Sequence, residues 1–93
     1  MYREVTVLAE GNKIDKYTFA VTVNDQPGVL VRVAGLISRF KLNIDSMTVE
    51  AAGELGQSHM TVTLMCDTDT SNRINLQLCK LIDVIDVKKS SML

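Results

Sequence analysis

A single histidine, two cysteines and no surplus of basic residues set the first limits on this 93-residue chain. His59 has no histidine partner, and Cys66 and Cys79 stand far apart instead of forming close pairs, so the spacing of a metal site is missing. The two thiols read as reduced core residues. Ten Lys and Arg face eleven Asp and Glu, a net charge of −1, which leaves nothing to neutralise a phosphate backbone; nucleic acid is not an expected partner. No apolar run reaches the roughly 18 residues of a membrane span. The opening MYREVTVLAEGNK lacks the basic-then-apolar order of a secretory signal, so the chain is expected in the cytoplasm.

What is abundant is apolar surface. Hydrophobic residues make up 46% of the chain, and mean hydropathy is +0.14. A single domain of this size buries only about 60–65% of the surface its unfolded chain exposes. More apolar area is therefore present than one thin core can hide, and an oligomer or a partner is expected.

Residues 17–23 alternate, with Tyr17, Phe19, Val21 and Val23 on one face and Thr18, Ala20 and Thr22 on the other, which predicts a half-buried strand. NDQPG then marks a turn into a helix, with Asn24 or Asp25 as N-cap and Pro27 in the first turn. Val29, Leu30, Val33, Leu36, Ile37 and Phe40 recur at helical spacing; Arg32, Ser38, Arg39 and Lys41 take the other side. Val31 points away from the apolar stripe. Gly35 sits mid-helix, where glycine costs about 1 kcal/mol relative to alanine, and marks either a close approach or a tolerated defect.

Residues 43–51 alternate with Met47, Val49 and Ala51 on one face, and 52–57 read as a hairpin connection. Residues 58–66 alternate again, with Met60, Val62, Leu64 and Cys66 inward. A second helix follows, striped by Ile74, Leu78 and Leu81, with Asp69 and Lys80 placed to suit its dipole. Residues 82–88 form a last strand, apolar enough to lie inside the sheet. The order β-α-β-β-α-β predicts an α+β, ferredoxin-like fold: four antiparallel strands in the order 4-1-3-2, with two helices on one face. Residues 1–16 fall outside that unit, as either an extra strand paired with 17–23 or a disordered tail. The opposite sheet face, with Thr18, Ala20, Thr22, Thr61 and Thr63, is small and half-polar and suits a partner or more chain.

The fold itself is shared by many functions, so residues must decide. RNA binding by this topology wants aromatics on the central strands, and 58–66 has none. A metal carrier wants a paired-thiol loop, and an acyl-phosphate hydrolase an Arg in the loop after the first strand; NDQPG supplies neither. Ser58 and His59 are neighbours on a strand, so they point to opposite faces and cannot pair. Asp83 and Asp86 read as solvated ends of a strand. No catalytic residue and no metal ligand is therefore assigned.

The informative segment is NDQPGVLVRV. A helix N-terminus leaves amides near Gly28, Val29 and Leu30 unpaired, and with the positive end of the helix dipole they suit a carboxylate. Gly28 leaves room for a ligand to reach the backbone, and Asp25 suits an ammonium. From the spacing alone, an ordinary capped helix start is the favoured reading of the same residues.

Two segments resemble a known family. NDQPGVLVRVAGLISRFKLNIDSMTVE is similar to the opening of the ACT domain in small regulatory subunits of acetohydroxyacid synthase (acetolactate synthase), and LQLCKLIDVIDVKK to its second helix and last strand. The likeness spans 17–89, with 1–16 as an N-terminal arm and 90–93 as a tail. It implies a non-catalytic subunit that activates a large catalytic subunit and binds valine, or another branched-chain amino acid, for feedback inhibition. Thiamine diphosphate, Mg²⁺ and FAD would belong to that partner and not to this chain.

The resemblance further implies a homodimer joined through the second strand and first helix, with the effector at the seam. The site would comprise Asp25, Gly28, Val29 and Leu30 of one copy and Asn43 and Ile44 of the other. Gly35 would lie where the paired helices meet. The family commonly has Asn at the position of Asp25 and Arg at that of His59, and many members carry a second domain; this sequence is similar to the short type. Two alternatives accompany this expectation: a scaffold that has lost the amino-acid site, and a stand-alone sensor for another enzyme.

Overall fold

The computed structural model describes residues 14–53 and 55–91. The elements run β1 (Ile14–Asn24), α1 (Val29–Ser38), β2 (Ile44–Ala51), β3 (Gln57–Asp67), α2 (Thr68–Cys79) and β4 (Val84–Ser91). They form one antiparallel sheet in the order β2-β3-β1-β4, the expected ferredoxin-like topology. β1 takes in three residues assigned to the N-terminal arm, and β4 runs to Ser91. The choice between an extra strand and a disordered tail for the arm falls, for 1–13, outside the described residues.

The core follows the alternation of the two central strands. Tyr17, Phe19, Val21 and Val23 of β1 and Met60, Val62, Leu64 and Cys66 of β3 all point to the helical side and are buried. α1 lays Val29, Val33, Leu36 and Ile37 on them, and α2 adds Ile74 and Leu78. Leu81 packs against this core from just beyond α2, which ends at Cys79. The Asp67 carboxylate caps α2 by accepting from the Thr70 amide at 2.7 Å, satisfying one of the donors a helix start leaves over.

Three expectations need correction. β4 is an edge strand starting two residues later than expected, and none of its residues is fully buried; Ile82, before it, is almost wholly exposed. Cys79 is exposed at the end of α2, so only Cys66 is a core thiol. Asp83 is no solvated strand end: its carboxylate pairs with Arg32 at 2.6 Å, tying α1 to the start of β4.

β2 is the other edge. Met47 pairs with Val62 and Val49 with Met60, so both face the helical side, yet neither helix covers them. They are 37% and 46% exposed, and every residue of β2 is exposed. The helix-free face is half-buried across β1 and β3 and braced by polar pairs: Thr18 with Thr63 at 3.0 Å, Thr22 with His59 at 3.0 Å, and Lys16 with Asp45 at 2.8 Å. No described helix is long and apolar enough to cross a membrane.

Candidate functional site

The loop between β1 and α1 is held by its backbone at one end of the sheet. The Asn24 amide donates to Asp83 O at 2.8 Å and the Asp25 amide to Gly56 O at 2.7 Å. Gly28, not Asn24 or Asp25, is the N-cap of α1, and Pro27 precedes the helix instead of starting it. The reason is the left-handed conformation of Gly28, φ 84°, which lets the chain enter the helix abruptly and leaves no side chain positioned to cap.

Without that cap the helix start keeps free donors. Val29 is an exception to the expectation: its amide donates to Gln26 O at 3.1 Å, and its side chain is buried in the core. The amides of Gly28, Leu30 and Val31 meet no acceptor among the described residues. Asp25, Gln26, Pro27, Gly28, Leu30 and Val31 line a cavity of about 430 Å³ at this point. Asp25 is exposed at its edge, with no ion pair among the described residues.

Arg32 is a neighbour that periodicity had placed merely on the polar side of α1. A Cβ on Gly28 would stand 3.5 Å from its Nη1, while Nη2 is engaged by Asp83. Helical side chains lean toward the N-terminus, so a residue four positions into the helix returns over the cap; that spacing was the available signal. The cavity therefore offers free amides, a helix N-terminus and an adjacent guanidinium to an anion, and an acid to an ammonium.

Asn43 and Ile44 are not brought to this cavity within one chain. Ile44 lies opposite Leu64, whereas Asn24 lies opposite Gln57, about 23 Å away along β3 at the usual rise per residue. The two halves of the expected site sit at opposite ends of the sheet.

Other chemistry is sparse. Ser58 is buried and His59 exposed, on opposite faces, so they form no nucleophile–base pair. The Cys66 thiol is pushed up to about 11 by burial and by the Asp67 carboxylate, with Lys89 pulling the other way, which keeps it protonated and unreactive. Among the described residues no three of His, Cys, Asp or Glu gather where they could hold a metal ion.

Comparison with known proteins agrees with this architecture. The acetolactate synthase small subunit of Mycolicibacterium smegmatis is 40% identical over 76 residues, covering 82% of this chain and 45% of that protein. A probable acetolactate synthase small subunit of Archaeoglobus fulgidus is 42% identical over 74 residues, covering 80% and 46%. The crystal structure of the Thermotoga maritima acetolactate synthase small subunit superposes with a TM-score of 0.72 at 31% identity, over 80% of this chain and 46% of that one. The chain thus spans a little under half the length of these relatives. Residues 19–86 match the family described as AHAS small subunit-like ACT domain, AHAS being acetohydroxyacid synthase. From the loop, the sheet order and this match together, the chain belongs to the AHAS small subunit-like ACT domain family.

Proposed function

We propose that this chain is a non-catalytic regulatory subunit of acetohydroxyacid synthase. It activates the large catalytic subunit, which carries the thiamine diphosphate, Mg²⁺ and FAD, and it binds a branched-chain amino acid, valine first, at a seam between two copies. The cavity at the start of α1, with three unengaged amides, is the observation that carries the reading. The carboxylate would meet the amides of Gly28, Leu30 and Val31, and the ammonium would meet Asp25. Leu30 and Val31 give apolar wall to a branched side chain.

A two-fold pairing along β2 would account for the distance to Asn43 and Ile44. Antiparallel pairing of two β2 edges sets the start of one strand beside the end of the other. That arrangement would carry the second copy's Asn43 and Ile44 toward this copy's loop. The exposed Met47, Val49 and Val31 supply apolar area for such a seam.

Calorimetry of the purified chain with valine, isoleucine and leucine tests the reading, with sedimentation run in parallel. The expected result is a dimer that takes up one of the three with measurable heat. No heat and no thermal shift at millimolar ligand, or a strictly monomeric chain, removes the sensor. A second reading, a scaffold without an effector site, is favoured by Asp25, since an acid repels the ligand carboxylate. Asp25→Asn separates the two: a changed valine response, weaker where Asp25 holds the ammonium or tighter where it repels the carboxylate, indicates a real pocket, and an unchanged null response indicates the scaffold.

A further inference from the structure

A cavity larger than the one beside Gly28 lies elsewhere among the described residues. It is an open groove of about 640 Å³ between the end of α1 and the outer face of α2. Its floor is apolar, formed by Phe40, Leu42 and Leu76, and Arg39, Lys41, Arg73 and Lys80 stand around it. No acidic residue lines it. On α2 the spacing places Arg73, Leu76 and Lys80 on one face, about 10 Å from end to end at the helical rise. Leu76 is 60% exposed in the middle of this frame.

Among the described residues the charge around the groove is unanswered. Lys16 pairs with Asp45 and Arg32 with Asp83, and none of the four cations of the groove meets a described carboxylate. Asp69 lies one turn before Arg73 on α2 and does not bridge to it. Arg73 instead lies over the Phe40 ring, 5.6 Å from its centroid, which turns the guanidinium toward the groove floor. Four of the ten cations of a chain with net charge −1 are thus concentrated around one groove.

We infer that this groove is the docking surface for an acidic amphipathic segment of the catalytic partner subunit, an inference that rests on the function proposed above. A segment with apolar side chains on one stripe and carboxylates beside them matches the floor and the rim together. A small ligand is the poorer match, because the groove is open and two helical turns long instead of enclosing.

The test compares the wild-type chain with the Arg73→Glu/Lys80→Glu variant; both positions are exposed, and circular dichroism checks that the fold is kept. The first probe is a short synthetic peptide with leucines on one helical stripe and glutamates elsewhere, followed by fluorescence anisotropy. The second is the purified catalytic subunit. Wild type is expected to bind both, more weakly as salt rises, and the variant to bind both at least about tenfold more weakly. Dimerisation and the heat of valine binding should be unchanged.

A variant that binds the catalytic subunit as well as wild type does overturns the groove and leaves the regulatory reading standing. Equal binding of a leucine–lysine peptide, or no binding of the acidic one, also overturns it. Wild type that binds the acidic peptide but not the catalytic subunit overturns the regulatory reading, and the partner named here with it.

Discussion

Gly28 is the residue on which the loop depends. Its φ of 84° is a conformation that side chains rarely adopt, and an added Cβ would also meet Arg32 Nη1 at 3.5 Å. Gly28→Ala is therefore expected to lower stability by about 1–2 kcal/mol in urea denaturation, and to weaken effector binding further by filling the space over the free amides. The sequence marked this glycine as giving backbone access but assigned the cap to Asn24 or Asp25. Cap preference follows side-chain chemistry, whereas the outcome here was decided by backbone dihedrals and by the amides of Asn24 and Asp25 being engaged elsewhere. The two thiols make a similar contrast. Cys79 is expected to react with a disulfide reagent at once in the native chain, and Cys66 only on unfolding. Because the folded state holds Cys66 up at about 11 against an ordinary 9.0, its contribution to stability is complete below that ordinary value. That contribution is then lost as pH rises between the two. Cys66→Ala should remove that part of the alkaline slope in denaturation curves.

At the scale of elements, the strands were the most legible part. The buried set of β1 and β3 is the alternating set read from 17–23 and 58–66, because a strand with one covered face must place every second side chain inward. β2 shows the same alternation with no cover: Met47 and Val49 face the helical layer and remain exposed. Val49→Lys is expected to convert a dimer into monomer in sedimentation while leaving the fold's circular dichroism intact, since the position contributes little inside one chain. Gly35 would belong to the same proposed seam. Apart from its chain neighbours and its own helix, nothing among the described residues lies within 4 Å of a Cβ placed there, so no close packing among them requires glycine. Gly35→Ala should therefore stabilise an isolated monomer by up to about 1 kcal/mol through helix propensity. A bulkier Gly35→Leu should weaken dimerisation if α1 meets its copy there. β4 took the edge that the expected strand order gave it, but its apolar residues suggested more cover than an edge strand receives, and none of them is fully buried.

At the scale of the whole molecule, charge is balanced in number and not in position. The composition gave a net charge of −1 and thereby hid a cluster of four cations, because residues 39–41 and 73–80 meet only when α1 and α2 pack side by side. The Arg32–Asp83 contact was invisible for the same reason: fifty-one positions separate the partners. Of the residues expected at the site, Asp25, Gly28 and Leu30 line one cavity, as their nearness in sequence makes legible, while Asn43 and Ile44 remain at the far end of the sheet in a single chain. Raising ionic strength from tens to hundreds of millimolar should weaken the proposed association with a catalytic subunit far more than the proposed dimer. The groove is framed by exposed cations and the β2 edge by aliphatic side chains. Surface plasmon resonance beside sedimentation would show the difference.

The two backbone hydrogen bonds that leave the loop, Asn24 to Asp83 and Asp25 to Gly56, end on the two other connections at that rim of the sheet. A guest wedged under the start of α1 cannot shift its own loop without tugging the β2–β3 hairpin and the entry to β4 as well. The rim behaves as one stiff collar, so strain introduced at a single spot is shared with two distant stretches of sequence and is carried to both borders of the sheet.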